Sequence, residues 1–144
     1  MTDLPTAARA YIGTKFRHRG RNKRGIDCVG LGIAAYADCG VTLPDFRLYG
    51  AEPHRDGMTR HMIAALGEPV AVAPVSASAL QVGDVAVFRF AHEPHHMAII
   101  GDHNYGGTRA LTVIHADGMQ GRVLEQRLTA DMVARITHVY RRPV

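Results

Sequence analysis

The sequence has no tryptophan and only two cysteines, Cys28 and Cys39. Two cysteines cannot supply the disulfide framework that holds small secreted modules together. They stand eleven residues apart, and if the intervening segment is helical the separation is about 16 Å, too far for a bridge. Both thiols are therefore expected to be free, and each needs its own explanation. No run approaches the roughly 18 apolar residues of a membrane-spanning helix. The opening Met1-Thr-Asp-Leu-Pro-Thr6 has neither the basic start nor the apolar core of a signal peptide. The expectation is a chain made in the cytoplasm without a membrane-spanning segment, carried by something else if it reaches a cell wall. Internal repeats and low-complexity segments are also lacking, which excludes solenoids and disordered tracts.

What is present fits an ordinary globular protein. The 144 residues are 47% hydrophobic and 21% charged, the usage of a folded domain, and a chain of this length buries roughly 70% of its unfolded surface. One domain over residues 1–144 is expected. The formal charge of +4 favours anionic partners such as nucleic acid, lipid headgroups or an acidic wall polymer without choosing among them.

The first half reads as helical. Thr6–Ile12 carries small and aromatic residues at helical spacing before Gly13, and Lys15–Gly25 is basic, glycine-punctuated and loop-like. Cys28–Asp38 is apolar nearly all round, as a buried helix is, with Gly40 placed to cap it. Leu43–Pro53 reads as a loop and Met58–Leu66 as a more exposed helix. After a linker at Ala71–Ala79 the character changes to β-rich runs at Asp84–Phe90, His96–Ile100, Leu111–His115 and Ile136–Tyr140. Helices followed by strands argue for an α+β domain with an antiparallel sheet.

Cys28 falls at the first turn of the most apolar helix, where free N–H groups and the positive end of the dipole favour a thiolate. Cys39, at the opposite end, reads as a small packed residue. A cysteine nucleophile needs a base within hydrogen-bond reach and a third group to orient that base. His96 and His115, at the ends of two neighbouring β-rich runs, could form such a relay. His95 is the nearest competitor, because a one-residue slip in register would turn it inward instead.

Five segments, in order, resemble the NlpC-type cysteine peptidases of bacterial cell walls, particularly the short forms of phage tails and gene-transfer particles. Gly13-Thr-Lys-Phe-Arg-His-Arg-Gly20 is similar to the family's Gly-Thr-x-Tyr-Arg-x-Gly-Gly. Gly25-Ile-Asp-Cys-Val-Gly-Leu31 is similar to its nucleophile motif, with Val29 where serine is usual. Leu80–Phe88 resembles the strand before the catalytic histidine, His96–Gly101 the histidine strand, and Val113-Ile-His-Ala116 the segment bearing the third residue. The resemblance implies a papain-like core, with the cysteine at the N-terminus of a central helix packed on an antiparallel sheet. It further implies Cys28 as nucleophile, His96 as general base and His115 as its orienting partner, with no cofactor. The implied activity is hydrolysis of peptidoglycan stem peptides, at a bond between D-glutamate and a diamino acid. Phage-like tail or baseplate proteins are the expected partners, and the periplasm or cell wall the expected site of action. The alternative is an inactive structural component of a phage-like tail that retains the fold.

Two departures stand out. Phe16 occupies the place of a tyrosine whose hydroxyl serves the site, leaving His18 or Tyr11 as substitutes, and Asp102–Ala110 reads as a loop longer than the family's turn. The basic run Phe16–Arg24 could touch nucleic acid, but no recognised nucleic-acid fold accompanies it, and a solvated loop or wall-polymer contact is expected. His92, His95, His96 and His103 do not reproduce a zinc motif such as His-Glu-x-x-His at helical spacing. No metal is expected from them.

Overall fold

The computed structural model describes residues 2–45, 57–91, 93 and 95–144. Helix α1 spans Leu4–Arg9, two residues earlier than its periodicity suggested. Asp3 sets that start, accepting from Thr6 N at 2.9 Å, and Pro5 occupies the first turn. Two short strands, β1 (Arg21–Asn22) and β2 (Gly25–Ile26), then form a hairpin. The segment expected to be an exposed loop is thus partly paired, with Phe16 and Lys15 also bridging to Ile26 and Arg122.

Helix α2 runs Cys28–Asp38 as the apolar pattern requires, and Gly40, at φ +86°, takes the left-handed position after its end. Helix α3 (Met58–Leu66) turns Met58, Met62 and Leu66 inward at i, i+4, i+8. The loop expected over Leu43–Pro53 lies outside the described residues from position 46 onward.

The sheet follows, with β3 (Ala71–Val72), β4 (Val85–Phe88), β5 (His96–Tyr105), β6 (Thr108–Asp117), β7 (Arg122–Arg127) and β8 (Ile136–Tyr140), and helix α4 (Ala130–Ala134) before β8. Their order is β3-β8-β4-β5-β6-β7, every neighbour antiparallel. Ahead of β4, the Val-Gly-Asp turn closes because Asp84 accepts from Gln81 N and pairs with Arg141, while Gly83 adopts φ +96°.

Both faces of the sheet are buried. Val85, Val87, Met97, Ile99 and Ile114 pack with α1, α2 and α3. Ala86, Phe88, Ala98, Ile100, Val113, Ile136 and Val139 form a second core, with Leu128 and Met132 against it. Hence β4 is apolar at every position, and its four side chains are divided between two cores. Fully burying one such side chain contributes about 1.5–3 kcal/mol.

The expected loop over Asp102–Ala110 is instead the tip of a hairpin. Strand β5 continues to Tyr105 and β6 begins at Thr108, joined by Gly106-Gly107, both at positive φ as a tight hairpin turn demands. The hairpin projects beyond the core, so His103, Asn104 and Tyr105 are exposed and carry no apolar alternation that would reveal a strand.

Candidate active site

The N-terminus of α2 meets the start of β5. Asp27 caps the helix, accepting from Gly30 N at 2.8 Å, from Arg19 N at 2.8 Å and from Arg21 Nη1 at 3.0 Å. Buried with the Arg21 guanidinium, it fixes the first turn and so the position of Cys28. A Cβ at Gly30 would collide with the carbonyl of Gly20, so that close approach requires glycine.

Cys28 is buried. The dipole argument anticipates a lowered thiol pKa, but the opposite holds. Burial pushes the thiol up, the Glu93 and Asp27 carboxylates add to it, and backbone hydrogen bonds at Met97 and Val29 offset this only in part. Desolvation outweighs the helix terminus here, and the resting form is the thiol.

His96 shares the strand parity of Ala98 and Ile100, and His115 that of Val113, so both imidazoles are buried. His96 Nε2 lies 2.6 Å from His115 Nδ1, and His115 Nε2 lies 2.8 Å from Gln126 Oε1. These contacts fix the tautomers. An amide oxygen only accepts, so His115 Nε2 donates; His115 Nδ1 is then the acceptor, and His96 Nε2 must donate to it. The lone pair of neutral His96 is left on Nδ1, which is buried and lacks an aligned hydrogen-bond partner. Burial and the neighbouring His96 hold His115 below the ordinary imidazole value, against the hydrogen bond it donates to Gln126, which suits a neutral orienting group.

Glu93 completes the cluster. It sits on a turn closed by hydrogen bonds in both directions between its backbone and that of Phe90. Its Oε2 lies 3.0 Å from His96 Nδ1, and the donor atoms of Cys28, Glu93 and His96 all lie within 4.8 Å of one another. A cleft of about 250 Å³ opens beside them, bordered by Phe90, Glu93, His96, His115, Gln126 and Met132 among others. The histidines and Glu93 line this cleft while Cys28 lies buried behind them; a somewhat larger cleft, about 290 Å³, lies by Asp3, Asp84 and Arg141 and holds no histidine.

The structure thus brings Cys28, His96 and His115 together. His95 is half-buried while His96 makes the contact to His115. Tyr11 does not reach the site, since its hydroxyl donates to Asp38 at the far end of α2. His18 is exposed on the turn before β1. Phe16 is half-buried, with its ring against Gly118 on the β6–β7 turn. Of the four histidines weighed as a zinc set, His103 is exposed against Tyr105 on the projecting hairpin, and His92 lies outside the described residues. Sequence reasoning missed Glu93 and Gln126. Glu93 belongs to a turn without periodicity, and Gln126 to an edge strand in which only Val123 is buried.

A helix-borne cysteine set against histidines of an antiparallel sheet defines a papain-like α+β domain. The chain belongs to the NlpC/P60 family, whose model matches residues 13–142. No curated protein matches it by sequence. Among solved structures it resembles an NlpC/P60 family protein from Bacillus cereus, with a TM-score of 0.62, 19% identity, and 99% of this chain covering 40% of that one. It also resembles the NlpC/P60 domain of the peptidoglycan hydrolase SagA, with a TM-score of 0.58 and 19% identity over 96% of this chain and 95% of that domain. The P60 domain of a Mycobacterium avium subspecies paratuberculosis antigen gives 0.53 and 14%, over 96% and 90%. At these identities the likeness concerns the fold.

Proposed function

We propose that the protein is a cysteine peptidase that hydrolyses peptide bonds in the stem peptides of bacterial peptidoglycan, with Cys28 as nucleophile, His96 as general base and His115 as positioning residue. The observation that carries this reading is the relay from Gln126 through His115 to His96, which leaves the Nδ1 lone pair of His96 beside the Cys28 thiol.

In this mechanism His96 Nδ1 takes the Cys28 proton as sulfur attacks the substrate carbonyl, so a thiol with a high resting pKa becomes a nucleophile only as the proton moves. The Cys28 backbone N–H, at the first helical position, has no intrahelical acceptor and is available to the developing oxyanion. The His96 proton then passes to the leaving amine, and water clears the thioester, with the same imidazole as base. The bond we assign is that between D-glutamate and the diamino acid of the stem. The setting we assign is service in a phage-like particle, with tail or baseplate proteins as partners and action in the periplasm or cell wall, on the likeness of the five motifs to the short phage-tail forms.

A second reading, an inactive structural component of such a tail, draws on the buried thiol and on Phe16 in place of tyrosine. Incubating purified sacculi with the wild type and with Cys28→Ala, followed by mass spectrometry of the soluble fraction, separates the two. Peptide fragments from the wild type alone are expected; none from either folded protein would favour the structural role.

A further inference from the structure

We propose that Cys28, Glu93 and His96 form a zinc-binding site, so that a zinc ion occupies the catalytic centre and blocks it reversibly. The binding stands on geometry alone, while the inhibition rests on the proposed function.

The donors are a thiol, a carboxylate and an imidazole within 4.8 Å of one another. Bound to one tetrahedral zinc they would lie about 3.5 Å apart; Glu93 and His96, at 3.0 Å, are already that close, and the longer gaps, at most 4.8 Å, must close by little more than about 1 Å. Glu93 is the donor free to make that adjustment, being on a turn with its side chain 21% exposed.

Lone pairs make a stronger case than distance. The relay leaves His96 Nδ1 as an acceptor, and Glu93 Oε2, also an acceptor, sits 3.0 Å away. Two lone pairs held that close are favourable only with a positive centre beside them, a proton or a metal ion. His96 Nδ1 is itself buried without an aligned hydrogen-bond partner.

The outer shell is also that of a metal site, because His96 donates its other ring nitrogen to His115, which is held in turn by Gln126. Three protein donors leave a fourth position for water on the side of the cleft. Thiolate with imidazole and carboxylate selects zinc over magnesium or calcium. On binding, the S–H bond of Cys28 is exchanged for a sulfur–zinc bond and the proton leaves to solvent. The metal then occupies both the nucleophile and the lone pair of its base.

The test is calorimetric titration of chelator-treated full-length protein with zinc chloride, paired with the visible spectrum of the cobalt(II) form. One ion per chain is expected, with the absorption of a tetrahedral thiolate site. Cys28→Ala and Glu93→Gln should each weaken binding by at least about tenfold, and Cys39→Ser should leave it unchanged. No binding, or binding that neither substitution weakens, would overturn the site. Glu93→Gln alters only a half-buried turn, so it decides the matter even if the Cys28 variant does not fold. In the sacculus assay, saturating zinc should stop fragment release and a chelator should restore it; release that continues with the site loaded would overturn the inhibition. Zinc bound by these residues in a protein that never digests sacculi would sink the proposed function and leave the site standing.

Discussion

At the residue scale, the centre depends on who donates to whom. His96→Ala removes the proposed base and should lower kcat/KM on stem peptides by roughly 10²–10⁴-fold. His115→Ala frees the His96 tautomer and should also lower kcat, leaving KM nearly unchanged, as a positioning residue does. Cys39, half-buried at the end of α2, should tolerate Cys39→Ser with activity within a few fold. His115 also links stability to pH. Its folded pKa is held below the ordinary 6.5, so the unfolded chain binds the proton more readily. That contribution is fully present above 6.5, and it is lost as pH falls from there toward the folded value. Thermal unfolding from pH 8 to 5 should therefore show a steeper loss for the wild type than for His115→Asn; equal slopes would contradict the assignment. That Cys28, His96 and His115 would lie together was legible in the sequence, because each sits in an apolar run with a recognisable neighbourhood. The direction of the thiol shift was not, because it depends first on how completely the fold buries Cys28 and then on Glu93, which approaches from a distant turn.

At the element scale, α2 is held in place by its first turn and its glycines. Asp27→Ala removes the cap, costing about 1 kcal/mol, and also leaves the Arg21 guanidinium, 9% exposed, without one of its two carboxylates. Gly30→Ala drives a methyl group toward the Gly20 carbonyl and should cost about 1–3 kcal/mol. Denaturant titration checks both, and a neutral Gly30→Ala would contradict the close packing of β1 on α2. Helices α2 and α3 could be read from their apolar spacing and glycine stops. Strand β7 could not, since as an edge strand it buries only Val123. The hairpin tip was misread for a related reason, its pairing being maintained by backbone bonds and two glycines where side chains give no pattern.

At the scale of the whole molecule, one sheet is shared by two cores, and long-range ties cross it. Arg9 on α1 reaches Glu125 on β7 at 2.9 Å, and Thr112 donates to the same carboxylate. Burial works to raise the Glu125 carboxyl, but these bonds outweigh it and hold it below the usual range. A sheet buried on both faces should unfold as a unit, so far-UV and near-UV signals should change together in denaturant. Separate transitions would divide the chain. Helices before strands made the α+β class readable from sequence. The strand order was not, because β8 returns to lie between β3 and β4, a crossing that no local pattern encodes.

The central claim is that Cys28 attacks a stem-peptide carbonyl with His96 as its base. Its most direct test is to quench the protein in acid during turnover of a stem peptide carrying a D-glutamyl–diamino acid bond, and to map the adduct by mass spectrometry. A thioester of the acyl fragment on the peptide containing Cys28, absent in His96→Ala, is the expected result. Product accumulating with no adduct on Cys28 and undiminished in Cys28→Ala, or no product and no adduct at all, would contradict it.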